Sequence, residues 1–71
     1  MLTLRYWFWF PVSSHDMYRS IERRIANAGW KATVRVGASY VDVTADTNTH
    51  ELIEQFVDTI ASNEYQIETI D

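Results

Sequence analysis

The side chains able to do chemistry in this chain are few and scattered. His15 and His50 are the two histidines, Ser13 and Ser14 sit beside the first, and Asp42 and Glu68 could face each other on a sheet. An acid–base pair needs a pocket that shifts and aims its members. A metal needs three or four donors at ligand spacing. A phosphate cradle needs a glycine-rich loop, and Gly29 and Gly37 are the only glycines. None of these patterns is present. Both histidines fall in expected first helical turns, where the dipole disfavours imidazolium, so they read as caps or exposed polar residues. Ser13 and Ser14 lack the strand–turn–helix setting of a nucleophile elbow. With no cysteine there is neither a disulfide nor a thiolate site. The residues point to a non-enzyme that uses no cofactor and no metal.

The chemistry that remains is recognition. Residues 6–10 are Tyr, Trp, Phe, Trp and Phe, half of the ten aromatics of a 71-residue chain. A strand presents alternate residues to opposite faces, so this run cannot all enter one core. Which rings are left outside depends on the elements that carry them.

Thr3 to Val12 reads as a first strand, closed by Pro11. Ser13 or Ser14 then caps a helix whose apolar positions are Met17, Ile21, Ile25 and Ala28, stopped by Gly29. Trp30–Val36 and Tyr40–Ala45 alternate strictly and form a hairpin through the turn at Gly37. Asn48 reads as the cap of a second helix, with Glu51 three residues on. Its stripe is Leu52, Ile53, Phe56, Val57 and Ile60, and it ends near Asn63. Residues 64–70 make a short last strand. The order β-α-β-β-α-β with right-handed crossovers predicts a ferredoxin-like α+β domain. It has a four-stranded antiparallel sheet in the order 4-1-3-2 and two helices on one face. Residues 1–71 form a single domain, near the size limit for folding without staples.

Parity assigns Leu2, Leu4, Tyr6, Phe8 and Phe10 to the covered face, with Trp30, Ala32, Val34, Val36, Val41, Val43, Ala45, Tyr65 and Ile67. The open face receives Arg5, Trp7, Trp9, Arg35, Tyr40, Asp42 and Glu68. Two bare indoles amount to roughly 300–500 Å², about what a monomer leaves exposed only at an interaction site. Trp7, Trp9 and Tyr40, flanked by Arg5 and Arg35, are the expected contact surface. Trp, Tyr and Arg are the types that dominate interfaces.

Charge narrows the partner. The formal net charge is −4, which argues against general binding to nucleic acid or acidic lipid. The N-terminal run is too short to span a bilayer and lacks a small-residue cleavage site, so a cytoplasmic protein with no membrane role is expected. "GASYVDV" partly resembles the third-strand signature of the RNA-recognition motif through Gly37, Tyr40 and Val41. Ala38 and Val43 replace its aromatics, however, and the face carries little net positive charge, so RNA binding is the lesser reading. No Lys or Arg follows Arg35, and the second helix carries Glu51, Glu54 and Asp58. This acidic face is the second candidate contact surface, suited to a basic protein.

"SSHDMYRSIERRIANAGWKATV" and "HELIEQFVDTIASNEYQIETI" resemble the RraB family of ribonuclease E inhibitors. The first is an N-capped helix running through Ala-Gly into an aromatic-led strand; the second is an acidic helix followed by a strand with Tyr. The resemblance implies a small acidic protein that regulates a nucleic-acid-handling enzyme by occupying it. A homodimer or larger homo-oligomer built through the sheet is the competing expectation.

Overall fold

The computed structural model describes every residue from Met1 to Asp71. Its elements run β1 (Leu2–Phe8), α1 (Ser14–Ala28), β2 (Thr33–Val36), β3 (Tyr40–Ala45), α2 (Thr47–Ala61) and β4 (Tyr65–Thr69). Neighbouring strands are antiparallel in the order β2-β3-β1-β4, the expected 4-1-3-2 read from the other edge. This is the ferredoxin-like α+β arrangement, with both helices against one side of an open sheet.

Alternation along β1 and β3 builds the core. Tyr6 and Phe8 enter from β1, and Val41 and Val43 from β3. They meet Met17, Ile21 and Ile25 of α1 and Ile53, Val57 and Ala61 of α2. Tyr6, Ile21, Val41, Val43, Ile53 and Val57 are wholly shielded from water. Each such side chain contributes about 1.5–3 kcal/mol by leaving water. In a chain this small, that sum must balance backbone ordering.

Local chemistry sets the helix ends. Ser13 is the cap of α1, its hydroxyl accepting from the Asp16 amide at 3.3 Å. Gly29 closes the helix at φ 72°, where a side chain would be strained. α2 begins earlier than expected. Asp46, not Asn48, is its cap, with Oδ1 accepting from the Thr49 amide at 2.7 Å. Asp and Asn cap comparably, and Asp46 comes directly after β3, so the helix starts where the strand stops. It ends at Ala61 rather than near Asn63, because Ser62 and Asn63 both adopt positive φ.

Four other expectations change. β1 stops at Phe8 instead of running to Val12, so the parity rule does not reach Phe10, which is 92% exposed instead of buried. β2 begins at Thr33, with Trp30 and Ala32 packing on the core from the preceding loop. Leu52 and Ile60 lie outside the core at 43% and 45% exposure, and Ala28 is exposed as well. α2 buries the narrower stripe His50, Ile53, Val57 and Ala61.

His50 is the fourth. It is 4% exposed rather than a surface residue, and its Nε2 donates to the Leu2 carbonyl at 2.6 Å. That bond ties the start of α2 to the start of β1. Ser14 ties the other end. Its hydroxyl lies 3.1 Å from the carbonyl oxygens of both Gly37 and Ala38, joining α1 to the β2–β3 turn.

Two predictions follow from this packing. The Tyr6 hydroxyl is buried without a partner in the chain, and burial raises its pKa. Tyr6→Phe removes an unsatisfied group and should be neutral or stabilising by up to about 1 kcal/mol, whereas Phe8→Ala should cost about 3–4 kcal/mol in urea unfolding. Hydrogen bonding to Thr49 lowers the Asp46 pKa from 3.8. Its stabilising effect is therefore complete above that ordinary value and is lost as pH falls through the lower folded value. Asp46→Asn keeps a capping oxygen without the titration, so its stability should fall less steeply below pH 4 when unfolding is followed against pH.

Candidate interaction surface

Strand register arranges the open face in rows. Opposite residues on β2, β3, β1 and β4 form the line Arg35, Asp42, Arg5, Glu68, alternating in sign across the whole sheet. One step towards the β1–α1 loop lie Tyr40, Trp7 and Gln66. One step the other way lie Thr33, Thr44 and Thr3. The Thr3 and Thr44 hydroxyls bond at 2.7 Å.

Arg5 is the hub. Its Nε and Nη2 donate to the two oxygens of Asp42 at 2.8 and 3.0 Å. The planar guanidinium suits a carboxylate in this forked geometry. The bond to Asp42 raises the Arg5 pKa further, so the cation is permanent. The same group lies 3.9 Å from the Tyr40 ring centroid and 5.5 Å from that of Trp7, within cation–π range. Trp7 meets Tyr40 edge-on at 5.2 Å, and its indole N–H donates to Glu68 Oε1 at 2.9 Å. Asp42 and Glu68 are thus separated by Arg5 rather than paired with each other.

The five residues expected to make the aromatic surface divide into two places. Arg5, Trp7 and Tyr40 form one bonded cluster on the open face, each partly shielded from solvent. Arg35 lies exposed at the β2 end of the charged row. Trp9 is not on the sheet. It follows the last β1 residue, is 45% exposed, and lines a groove of about 480 Å³ with Phe10, Pro11, His15 and Ala38. The sheet therefore presents one ordered indole instead of two bare ones, and the large exposed apolar area has moved to the loop. Phe10 was missed because parity sent it inward. Pro11 next to it was the available signal, since proline ends strand pairing.

The second surface keeps its acidic character. Glu51 and Glu54 are exposed beside Gln55 around a shallow hollow. Asp58 accepts from the Tyr65 hydroxyl at 3.1 Å. Burial first, then this bond, pushes the Tyr65 pKa up to about 12. Leu52, Phe56 and Ile60 lie at helical spacing on another side of α2, and Arg24 lies 5.4 Å from the Trp30 ring and 5.7 Å from the Phe56 ring. No helix is long and apolar enough to cross a membrane.

No protein-family model, curated protein or solved structure matches this chain.

Gly37 holds the aromatic row in place. A Cβ at this position would fall on the Tyr40 ring, nearer than real Cβ atoms approach anything. Gly37→Ala should therefore displace Tyr40 from Trp7 and Arg5. It should cost about 1–3 kcal/mol in urea unfolding, as overpacking does, and should change the near-ultraviolet dichroism of the Trp7–Tyr40 pair.

Proposed function

We propose that this chain is a small, non-catalytic protein-binding regulator, an inhibitor that acts by covering part of another protein. The exposure of Phe10 at 92%, beside Trp9 at 45%, carries this reading. Tyr6 and Phe8 anchor the strand from which the loop springs, and the Ser14 bonds hold its far end against the β2–β3 turn. The rings are thus presented on a fixed base. Burying them would yield on the order of 6 kcal/mol gross at about 25 cal/mol per Å². Association costs about 4–15 kcal/mol, so the neighbouring Trp7, Tyr40 and Arg35 must join the contact.

Charge supports a basic partner. Every carboxylate except Asp16 and Glu22 follows Arg35, and no Lys or Arg does. Glu51, Glu54 and Asp58 extend this field along α2 and would speed encounter with a positive surface. The resemblance to the RraB family makes an enzyme that handles nucleic acid the first target to test. A protein is favoured over RNA as the ligand because Asp42 already occupies the Arg5 guanidinium, leaving little cationic surface for phosphates.

The test is affinity purification from the producing cells with wild type and a Trp9→Ser/Phe10→Ser variant. Phe10 is almost wholly exposed and Trp9 about half covered, so the variant should lose about 1–3 kcal/mol and stay folded, which circular dichroism checks. A partner held by wild type and lost by the variant is the expected result. Equal recovery by both, or no enriched protein, would refute the reading.

A further inference from the structure

We propose that this chain assembles with copies of itself head to tail, the free edge of β4 pairing with the free edge of β2 in the next copy. The inference goes beyond the regulator reading and does not depend on it, because Trp9 and Phe10 lie at the strand ends and not along either edge.

Backbone direction is the first observation. The Gly37 amide bonds to the Tyr40 carbonyl, so by strand alternation Arg35 and Thr33 also turn their backbone groups towards β3. The amides and carbonyls of Val34 and Val36 then point away from the sheet. Thr3 bonds to Ile70 and Asp71, so Arg5 and Trp7 turn towards β4, opposite Glu68 and Gln66. Tyr65, Ile67 and Thr69 are left pointing outward. β4, Tyr65–Thr69, contains no proline, no lysine and no break in its register, and its one charged residue is Glu68.

Charge selects the occupant. The alternating row begins with a cation, Arg35, at the β2 edge and ends with an anion, Glu68, at the β4 edge. Pairing β4 with a second β4 in full register, Ile67 on Ile67, would set each Glu68 opposite Gln66, leaving the two carboxylates as diagonal neighbours with no cation to answer them. Pairing β2 with β2 would bring Arg35 directly against Arg35. Joining β4 antiparallel to β2 of the next copy sets Glu68 opposite Arg35 and carries the alternation across the junction. That register also places Ile67 opposite Val36 and Thr69 opposite Val34. These are the residues with outward backbone groups, and all four have side chains on the helix side. Direction, side-chain face and charge agree in a single register.

Such a contact is heterologous, so each added copy leaves new free edges and growth does not stop at two. It is also small and works against a net charge of −4, which keeps it weak and dependent on concentration.

Sedimentation from micromolar to millimolar protein at fixed ionic strength tests the proposal. Wild type should gain average mass continuously, without a plateau at the dimer. Arg35→Glu should weaken association about tenfold, by replacing attraction with repulsion across the strand pair. Arg19→Glu makes the same change in net charge on an exposed part of α1 and should leave association unchanged. Mixing Arg35→Glu with Glu68→Lys should restore it, because each then offers the edge that the other lacks. Thr69→Pro removes an outward amide and should block growth. Circular dichroism checks that each variant folds; if Thr69→Pro does not, the mixing experiment stands alone. Trp9→Ser/Phe10→Ser should assemble like wild type while losing any foreign partner. A single chain at every concentration would overturn the proposal. So would a plateau at the dimer, or assembly unaffected by Arg35→Glu and unrestored by mixing.

Discussion

Everything in this molecule depends on the two-residue period of β1. Seven residues, Leu2 to Phe8, keep strict alternation. Within them Tyr6 and Phe8 go under the helices, while Arg5 and Trp7 go to the open face. Because β1 is central, that one choice of parity aligns both neighbours. Val41 and Val43 must enter the core with Tyr6, and Asp42 and Glu68 must stand beside Arg5. A slip of one residue would put a guanidinium in the core, at a cost far above the few kcal/mol by which a domain of this size is stable.

The open face is a bonded surface rather than a bare one. Arg5 has its charge answered by Asp42 and lies over Tyr40; Trp7 has its N–H answered by Glu68. Side chains held in this way lose little further entropy when a partner covers them, which favours recognition. The Trp9–Phe10 loop supplies the hydrophobic area that the sheet itself has largely satisfied. Position and chemistry are thus divided, with a prearranged polar sheet beside an exposed apolar tip. On the proposed reading, the acidic half of the chain adds long-range attraction to a basic partner.

Most of the fold was legible because its signals were redundant. β3 alternates, starts after a turn and ends before a cap, and its bounds Tyr40–Ala45 were read as they stand. Gly29 and Ser13 performed the capping roles their residue types suggest. The sequence misleads where a signal is local and its competitor is tertiary. Asn48 and Asp46 are both good caps, and only the end of β3 decides between them. His50 looks like surface because helix first turns usually are, but the crossover lays this one over the start of β1. Leu52 and Ile60 fit a helical stripe wider than the groove that receives α2. For the candidate site, Arg5, Trp7 and Tyr40 were found through parity, and the same rule misplaced Trp9 and Phe10 once the strand had ended. The bonds that organise the face, Arg5 to Asp42 and Trp7 to Glu68, depend on register, which the hydrophobic pattern constrains only to parity.

The parity of β1 can be read directly from nuclear Overhauser contacts in the intact protein. Cross-peaks are expected from the Tyr6 ring to methyl groups of the buried cluster, Ile21, Ile53 and Val57 among them, and from the Trp7 indole to Tyr40 and the Arg5 side chain. Contacts from the Trp7 indole to the Ile53 or Val57 methyls, with Tyr6 facing water, would contradict this parity.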